Sequence, residues 1–153
     1  MSKAIITVGI PASGKTTWAN QYVQDHLGAV ISCRDDIRFA HDLPYGIPEV
    51  EKYITTIQRV QINKAILDGH DVIIADTNIV KRFRDEAIDL CKSLGAEVKV
   101  KVFHIKLSTA LERDSKRENP VGFDVIERFY SMMKDQIAWG FITDDIPKSR
   151  IKH

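Results

Sequence analysis

Apolar residues are distributed along this chain with two alternating periods. Runs of strand length, Ala4–Val8, Ala29–Cys33 and Asp71–Asp76, are separated by longer stretches in which apolar positions recur at helical spacing. Ala4-Ile5-Ile6-Thr7-Val8 is apolar on both faces, the pattern of a strand covered from both sides. A helix is predicted from about Lys15 to His26, closed by Gly28. A second runs from Pro48 to Leu67 on Val50, Ile54, Ile57, Val60 and Ile62, with Gly69 as its stop. A third spans about Val80 to Leu94, with Phe83, Ala87, Leu90, Cys91 and Leu94 inward and Gly95 behind it. Glu97–Ile105 sets Val98, Val100 and Val102 against Lys99, Lys101 and Phe103, the alternation of an edge-like strand. Helices follow over about Thr109–Arg117 and Asp124–Gln136, the latter with Ile126, Phe129, Tyr130 and Met133 on its core face. Arg34–Pro48 reads as irregular, with one helical turn near Asp36. Strands and helices therefore alternate throughout, which predicts a parallel α/β sheet.

Composition narrows the class. At 153 residues the chain is read as one domain, and 44% hydrophobic with 28% charged residues is an ordinary globular balance. No apolar run approaches the roughly 20 residues of a membrane helix, and the N-terminus lacks a signal-peptide pattern, so a cytoplasmic protein without a membrane is expected. Cys33 and Cys91 fit no metal or redox spacing and read as reduced, buried thiols. Trp18 is expected to pack on the first helix and Trp139 with Phe141 to cover the sheet; the tail Pro147–His153 is expected to fray. The net charge of +1, from 22 basic and 21 acidic residues, argues against a protein that coats long nucleic acid. It is compatible with a grip on a single nucleic-acid end.

The first strand leads directly into Gly9-Ile10-Pro11-Ala12-Ser13-Gly14-Lys15-Thr16, and a helix follows at once. That is the context a phosphate-binding P-loop requires. Glycines let backbone amides turn inward around phosphates, and the positive helix end adds to the cradle. Lys15 brings a charge to the β- and γ-phosphates of ATP, and the Thr16 hydroxyl is a ligand for Mg²⁺. Donor contacts are expected from Gly9, Pro11, Ala12, Ser13, Gly14, Lys15, Thr16 and Thr17.

Three further clusters carry two readings each. Asp76 ends the third strand as either a Walker B acid beside the metal or a cap for the next helix. Asp35 and Arg38 lie just past the second strand, at the sheet edge where open α/β folds bind ligands. They are either a base and a cation for an acceptor or an N-cap with a solvated ion pair. Arg113 and Arg117, four apart, are either arginine fingers closing over a triphosphate or a solvated basic face. Lys81, Arg82 and Arg84 read as a solvated face more than as phosphate contacts.

In order, G-I-P-A-S-G-K-T-T-W, S-C-R-D-D-I-R, V-I-I-A-D-T-N, E-R-D-S-K-R-E and F-D-V-I-E-R-F-Y-S-M-M resemble the kinase domain of bacteriophage polynucleotide kinase, over about Lys3 to Lys134. The resemblance implies transfer of the γ-phosphate of ATP, with Mg²⁺, to 5′-hydroxyl ends of DNA or RNA. It implies an adenylate-kinase-like P-loop fold, a four-stranded parallel sheet of order 2-3-1-4 with helices on both faces and a helical lid over about residues 108–119. It implies that Asp35 is the general base and that Arg38 contacts the acceptor's 3′-phosphate. Arg113 and Arg117 become lid arginines over the donor, Arg117 offsetting charge on the migrating group, and Asp76 becomes an acid of the acceptor tunnel. Ala12 departs from the family's usual Gly. No Asp-x-Asp-x-Thr phosphatase motif is present, so any end-healing phosphatase or ligase is expected on a separate partner. The alternatives are a small-molecule kinase for a nucleoside, sugar acid or antibiotic, and a non-catalytic ATP-binding switch.

Overall fold

The computed structural model describes residues 1–143. Its elements follow in the order β1 (Lys3–Val8), α1 (Lys15–Asp25), β2 (Val30–Ser32), α2 (Arg34–Ala40), α3 (Pro48–Leu67), β3 (Val72–Ile74), α4 (Lys81–Ser93), β4 (Glu97–Val102), α5 (Leu107–Ser115) and α6 (Phe123–Ala138). The four strands are all parallel and lie in the order β2-β3-β1-β4. This is the expected sheet, with β4 at its edge.

Alternation along β1 sorts the core into two sides. Ala4, Ile6 and Val8 face a large cluster with Ile62, Ala65 and Ile66 of α3, Ile88 and Cys91 of α4, and Ile126 and Met133 of α6. Ile5 points the other way, joining Ile73, Ala19 and half-buried Trp18 and Tyr22 beneath α1. Each fully buried isoleucine contributes about 1.5–3 kcal/mol through its removal from water. Thr7, also fully buried, donates its hydroxyl to Ile74 O at 3.2 Å and Asp76 O at 2.9 Å, so its burial leaves no unmet polar group.

Several expectations are corrected. The segment after β2 is not an isolated turn but a seven-residue helix, α2. Its signal was short because Ile37 is its only buried apolar side chain, whereas Asp35 and Asp36 favour a helix start electrostatically. Val60 and Phe83, expected inward, are 62% and 52% exposed. On α4 Cys91 is buried and Ala87, Leu90 and Leu94 pack against the core as expected, and Arg84 and Ile88 are buried in addition. Trp139 is exposed and Phe141 partly so; Ile142 is the residue that enters the core. Cys91 is fully buried, but Cys33 is only half-buried. Strand β1 starts one residue earlier than expected, at Lys3, whereas β2, β3 and β4 are shorter, with Ala29, Cys33, Asp71, Asp76 and Ile105 all lying outside them. Pro147–His153 lies outside the described residues. Among the described residues no helix is long and apolar enough to cross a membrane.

Candidate active site

The parallel sheet delivers the ends of β1, β2 and β3 to one edge, and there the marked residues converge. Beyond Val8 the chain turns through Gly9–Gly14, anchored by Gly9 N donating to Thr77 O at 3.0 Å. A Cβ on Gly9 would stand 2.6 Å from Ser13 Oγ and 3.1 Å from Phe103 Cβ, so the turn admits no side chain there. Gly14 caps α1 at φ +102°, a conformation glycine takes readily. Ala12 also lies in the left-handed region, at φ +65°. It therefore carries steric strain that a glycine would avoid, which gives physical content to the sequence departure at this position. Lys15 is buried in the loop, its Nζ donating to Gly9 O at 2.8 Å, Ile10 O at 2.7 Å and Ser13 Oγ at 3.3 Å. Burial lowers its pKa to about 8, and the nearby charge of Arg117 pushes the same way. Thr16 and Thr17 are exposed in the first turn of α1.

Asp76 does not cap α4, which begins at Lys81 behind Val80. Its two oxygens accept from the backbone N–H of Arg34 and from Gln58 Nε2, both at 2.8 Å. This carboxylate thus ties the end of β3 to the start of α2 and to α3. Loss of water around it raises its pKa, against the two hydrogen bonds, which lower it. Asn78, at φ +47°, fixes the same turn by donating its amide to Thr7 O at 2.8 Å and Ile74 O at 3.2 Å.

Asp35 and Arg38 share a face of α2, but their surroundings differ. Asp35 is exposed, with 61% of its side chain accessible, and Arg38 only 5%, the nearest approach being 4.0 Å from Nε. The Arg38 guanidinium donates to both Glu51 oxygens at 2.9 and 2.8 Å and to Pro44 O at 2.6 Å. Arg34 reaches the same carboxylate at 3.1 Å and Thr55 Oγ1 at 2.8 Å. Hydrogen bonds from Arg38 hold the Glu51 pKa down to about 2, with Arg34 helping. The pair is therefore part of an Arg34–Glu51–Arg38 network joining α2 to α3, with Asp35 left facing outward.

At the opposite rim, α5 stops at Ser115, so Arg113 lies in its last turn and Arg117 just past its end. The single helical face expected to carry both arginines is interrupted there. Arg117 comes within 3.8 Å of Asp114, and its charge is felt at Lys15. Asp114 is almost fully buried and accepts from Val121 N and Gly122 N, each at 3.0 Å. It pins the connection between α5 and α6. Tyr130 lines a cleft of about 130 Å³ with Ile10, Phe103, His104 and Met133. Lys81 and Arg82 flank α4 at its start, but Arg84 is buried and donates to Asn78 O and Ile79 O at 2.8 Å and Phe141 O at 2.6 Å.

Gln58, Glu51 and Asp114 were not singled out from the sequence. Each acts across a long connection or at a helix end, and no spacing within a single element marks it. Among the described residues, no group of three or more His, Cys, Asp or Glu side chains is placed to hold a metal.

A glycine-bounded loop between β1 and α1, an acid at the end of β3 and this strand order define a P-loop kinase fold. The chain belongs to the AAA domain family, whose sequence profile matches residues 5–138. Among solved structures it is similar to a protein of the Pnkp1/Rnl/Hen1 RNA repair complex, at 24% identity and a TM-score of 0.84, over 95% of this chain and 48% of that one. A second Pnkp1/Rnl/Hen1 complex matches at 25% identity and a TM-score of 0.68, over 81% of this chain and 44% of that one. This chain thus spans about half the length of the two proteins it matches in those complexes. The APS kinase CysC of Mycobacterium tuberculosis, solved with AMPPNP and APS, matches at 18% identity and a TM-score of 0.56, over 95% of this chain and 81% of that one.

Proposed function

We propose that this protein is an ATP-dependent polynucleotide kinase that phosphorylates 5′-hydroxyl ends. The observation that carries the proposal is Asp35, an accessible carboxylate on α2 at the same edge of the sheet as the loop that encloses Lys15, whose pKa burial lowers while the Asp35 charge acts in the opposite sense. Acceptor activation and donor binding thereby share one edge of the sheet. Asp35 takes the proton of the attacking hydroxyl, and the arginine network behind it keeps α2 rigid. The amides of Ser13 to Thr16 and the Lys15 ammonium hold the triphosphate, Lys15 exchanging loop carbonyls for phosphate oxygens. Arg117 offsets the negative charge that spreads over the migrating phosphoryl group, and Arg113 stands behind it on the lid. Asp76 shapes the floor between donor and acceptor. The exposed Thr16 hydroxyl would hold Mg²⁺, an ion that takes few protein oxygens in such sites. Bound there, it supplies charge neutralisation to the β- and γ-phosphates.

Arg38 contributes through position: with both terminal nitrogens on Glu51 and Pro44, it orients Asp35 and the loop behind it. Contact with an acceptor 3′-phosphate would need its Nε, which is buried without a hydrogen-bond partner. The similarity to proteins of RNA repair complexes supports a nucleic-acid acceptor, and a separate phosphatase or ligase is the partner this reading expects. The similarity to APS kinase keeps a small-molecule acceptor as the alternative.

The test is transfer of label from γ-labelled ATP with Mg²⁺ to 5′-hydroxyl DNA and RNA oligonucleotides, with 5′-phosphorylated controls. Label on hydroxyl ends alone is expected. Asp35→Asn should cut turnover by about 10²–10⁴-fold while leaving ATP affinity intact. Label on a small alcohol and on no oligonucleotide would replace this reading with the alternative, and full activity of Asp35→Asn would remove the base.

A further inference from the structure

Tyr45 lies outside every motif in the sequence and outside the steps assigned above. It sits in the connection between α2 and α3, after Pro44 and before Gly46, which has φ +76°. The backbone beneath it is tied down twice: Leu43 N donates to Arg38 O at 3.0 Å, and Arg38 donates to Pro44 O at 2.6 Å. The Arg38 guanidinium carbon lies 4.1 Å from the centroid of the Tyr45 ring, within cation–π range. The hydroxyl donates to Asp35 Oδ1 at 3.4 Å. Even so, Tyr45 is 64% exposed.

Exposed tyrosines are common and need no explanation by themselves. This one differs in its placement. One side of its ring is occupied by a buried guanidinium hydrogen-bonded to Glu51 and Pro44, its hydroxyl touches the proposed base, and the remainder of the ring faces solvent. A side chain with two torsions, already held at both ends, has little freedom left to lose when a flat group stacks on it. Stacking of bases on aromatic side chains is tolerant of sequence, because every base presents a π face.

We infer that Tyr45 is the recognition platform for the acceptor, stacking the nucleobase of the terminal nucleotide whose hydroxyl Asp35 activates. The inference rests on the polynucleotide kinase reading. It adds a specificity the reading lacks: the acceptor must carry an aromatic base on its terminal sugar, of any of the four identities.

Two measurements test it. In the first, labelled transfer is followed with two matched 5′-hydroxyl oligonucleotides, one ending in a normal nucleotide and one in an abasic sugar. The wild type should favour the base-bearing end by about 5- to 150-fold in KM. Tyr45→Ala should lose that preference by weakening only the base-bearing acceptor, while Tyr45→Phe keeps it; unchanged KM for ATP shows that the variants are folded. In the second, without ATP, an oligonucleotide with 2-aminopurine at its 5′ end should lose fluorescence on binding wild type and Tyr45→Phe, and not on Tyr45→Ala. Transfer that ignores the terminal base, or quenching that survives Tyr45→Ala, overturns the platform and leaves the kinase standing. Tyr45-dependent quenching with no transfer to any oligonucleotide keeps the platform and overturns the kinase. Neither transfer nor quenching overturns both.

Discussion

Lys15 shows how one residue is held away from its ordinary chemistry. Its ammonium is enclosed by a loop whose own carbonyls accept from it, and burial brings its pKa down to about 8. In the unfolded chain an ordinary lysine titrates near 10.4. Between those values the unfolded state binds more protons than the folded one, so folding becomes more favourable as pH rises. The cost is complete below pH 8 and fades as pH climbs through the unfolded value. Its size is on the order of 3 kcal/mol for a shift of this extent. In phosphate-free buffer, denaturation midpoints of wild type and Lys15→Met measured from pH 7.5 to 10.5 should therefore change in favour of the wild type. The comparison isolates Lys15 from Cys33, whose thiol burial pushes up to about 12 and which acts in the opposite sense. A difference that stays flat with pH would mean that Lys15 is not desolvated in the folded protein.

At the scale of elements, the rim opposite α2 depends on Asp114. Its carboxylate accepts the backbone N–H groups of Val121 and Gly122, and so determines how α6 departs from α5. The same residue's carbonyl accepts from Arg117 N at 3.0 Å, which places the arginine whose charge reaches Lys15. Asp114→Ala leaves two backbone donors without their acceptor, a loss of roughly 2 kcal/mol. The expected result is a lower denaturation midpoint together with, on the proposed kinase reading, a raised KM for ATP, since Arg117 is no longer held. Asp114→Asn should restore only part of either, because its amide nitrogen cannot accept. If the midpoint falls and the KM for ATP does not move, Asp114 is structural only and the lid assignment of Arg117 weakens. The buried Arg84 plays a comparable part on α4, drawing the end of β3 and the segment after α6 together through three carbonyls. Arginine on a helix face usually reads as solvated, and only the packing of α4 against its neighbours turns this one inward.

For the whole molecule, the near balance of 22 basic and 21 acidic residues limits how the proposed nucleic-acid acceptor is engaged. With about two phosphates neutralised on a single strand, acceptor affinity should fall by less than about tenfold between 50 and 200 mM salt. Acceptor KM measured across that range checks it. A fall of a thousandfold or more would require an extended phosphate track and would contradict a site confined to the end of the strand.

Much of this architecture was legible in the sequence because its causes are local. Apolar runs of strand length, helical periodicity between them and Gly28, Gly69 and Gly95 behind the helices mark a parallel sheet without reference to any distant residue. The phosphate loop is equally local, since strand, glycines, lysine and helix are contiguous. Register along a helix was less legible: Val60 and Phe83 have the right spacing for a core face, yet neighbouring positions fill the core instead. Helix α2 was hidden by its length, since seven residues with one buried apolar side chain carry no period. The contacts among the residues beyond the loop belong to the tertiary structure. Asp76 meets Gln58 and the amide of Arg34, Glu51 meets Arg34 and Arg38, and Tyr45 meets Asp35 only because parallel strands bring separate segments to one edge of the sheet. The sequence determined which residues carry the chemistry of the proposed phosphoryl transfer. Which of them are bound to one another, and which remain free to meet a substrate, was decided by the packing of α2 and α3 against the sheet.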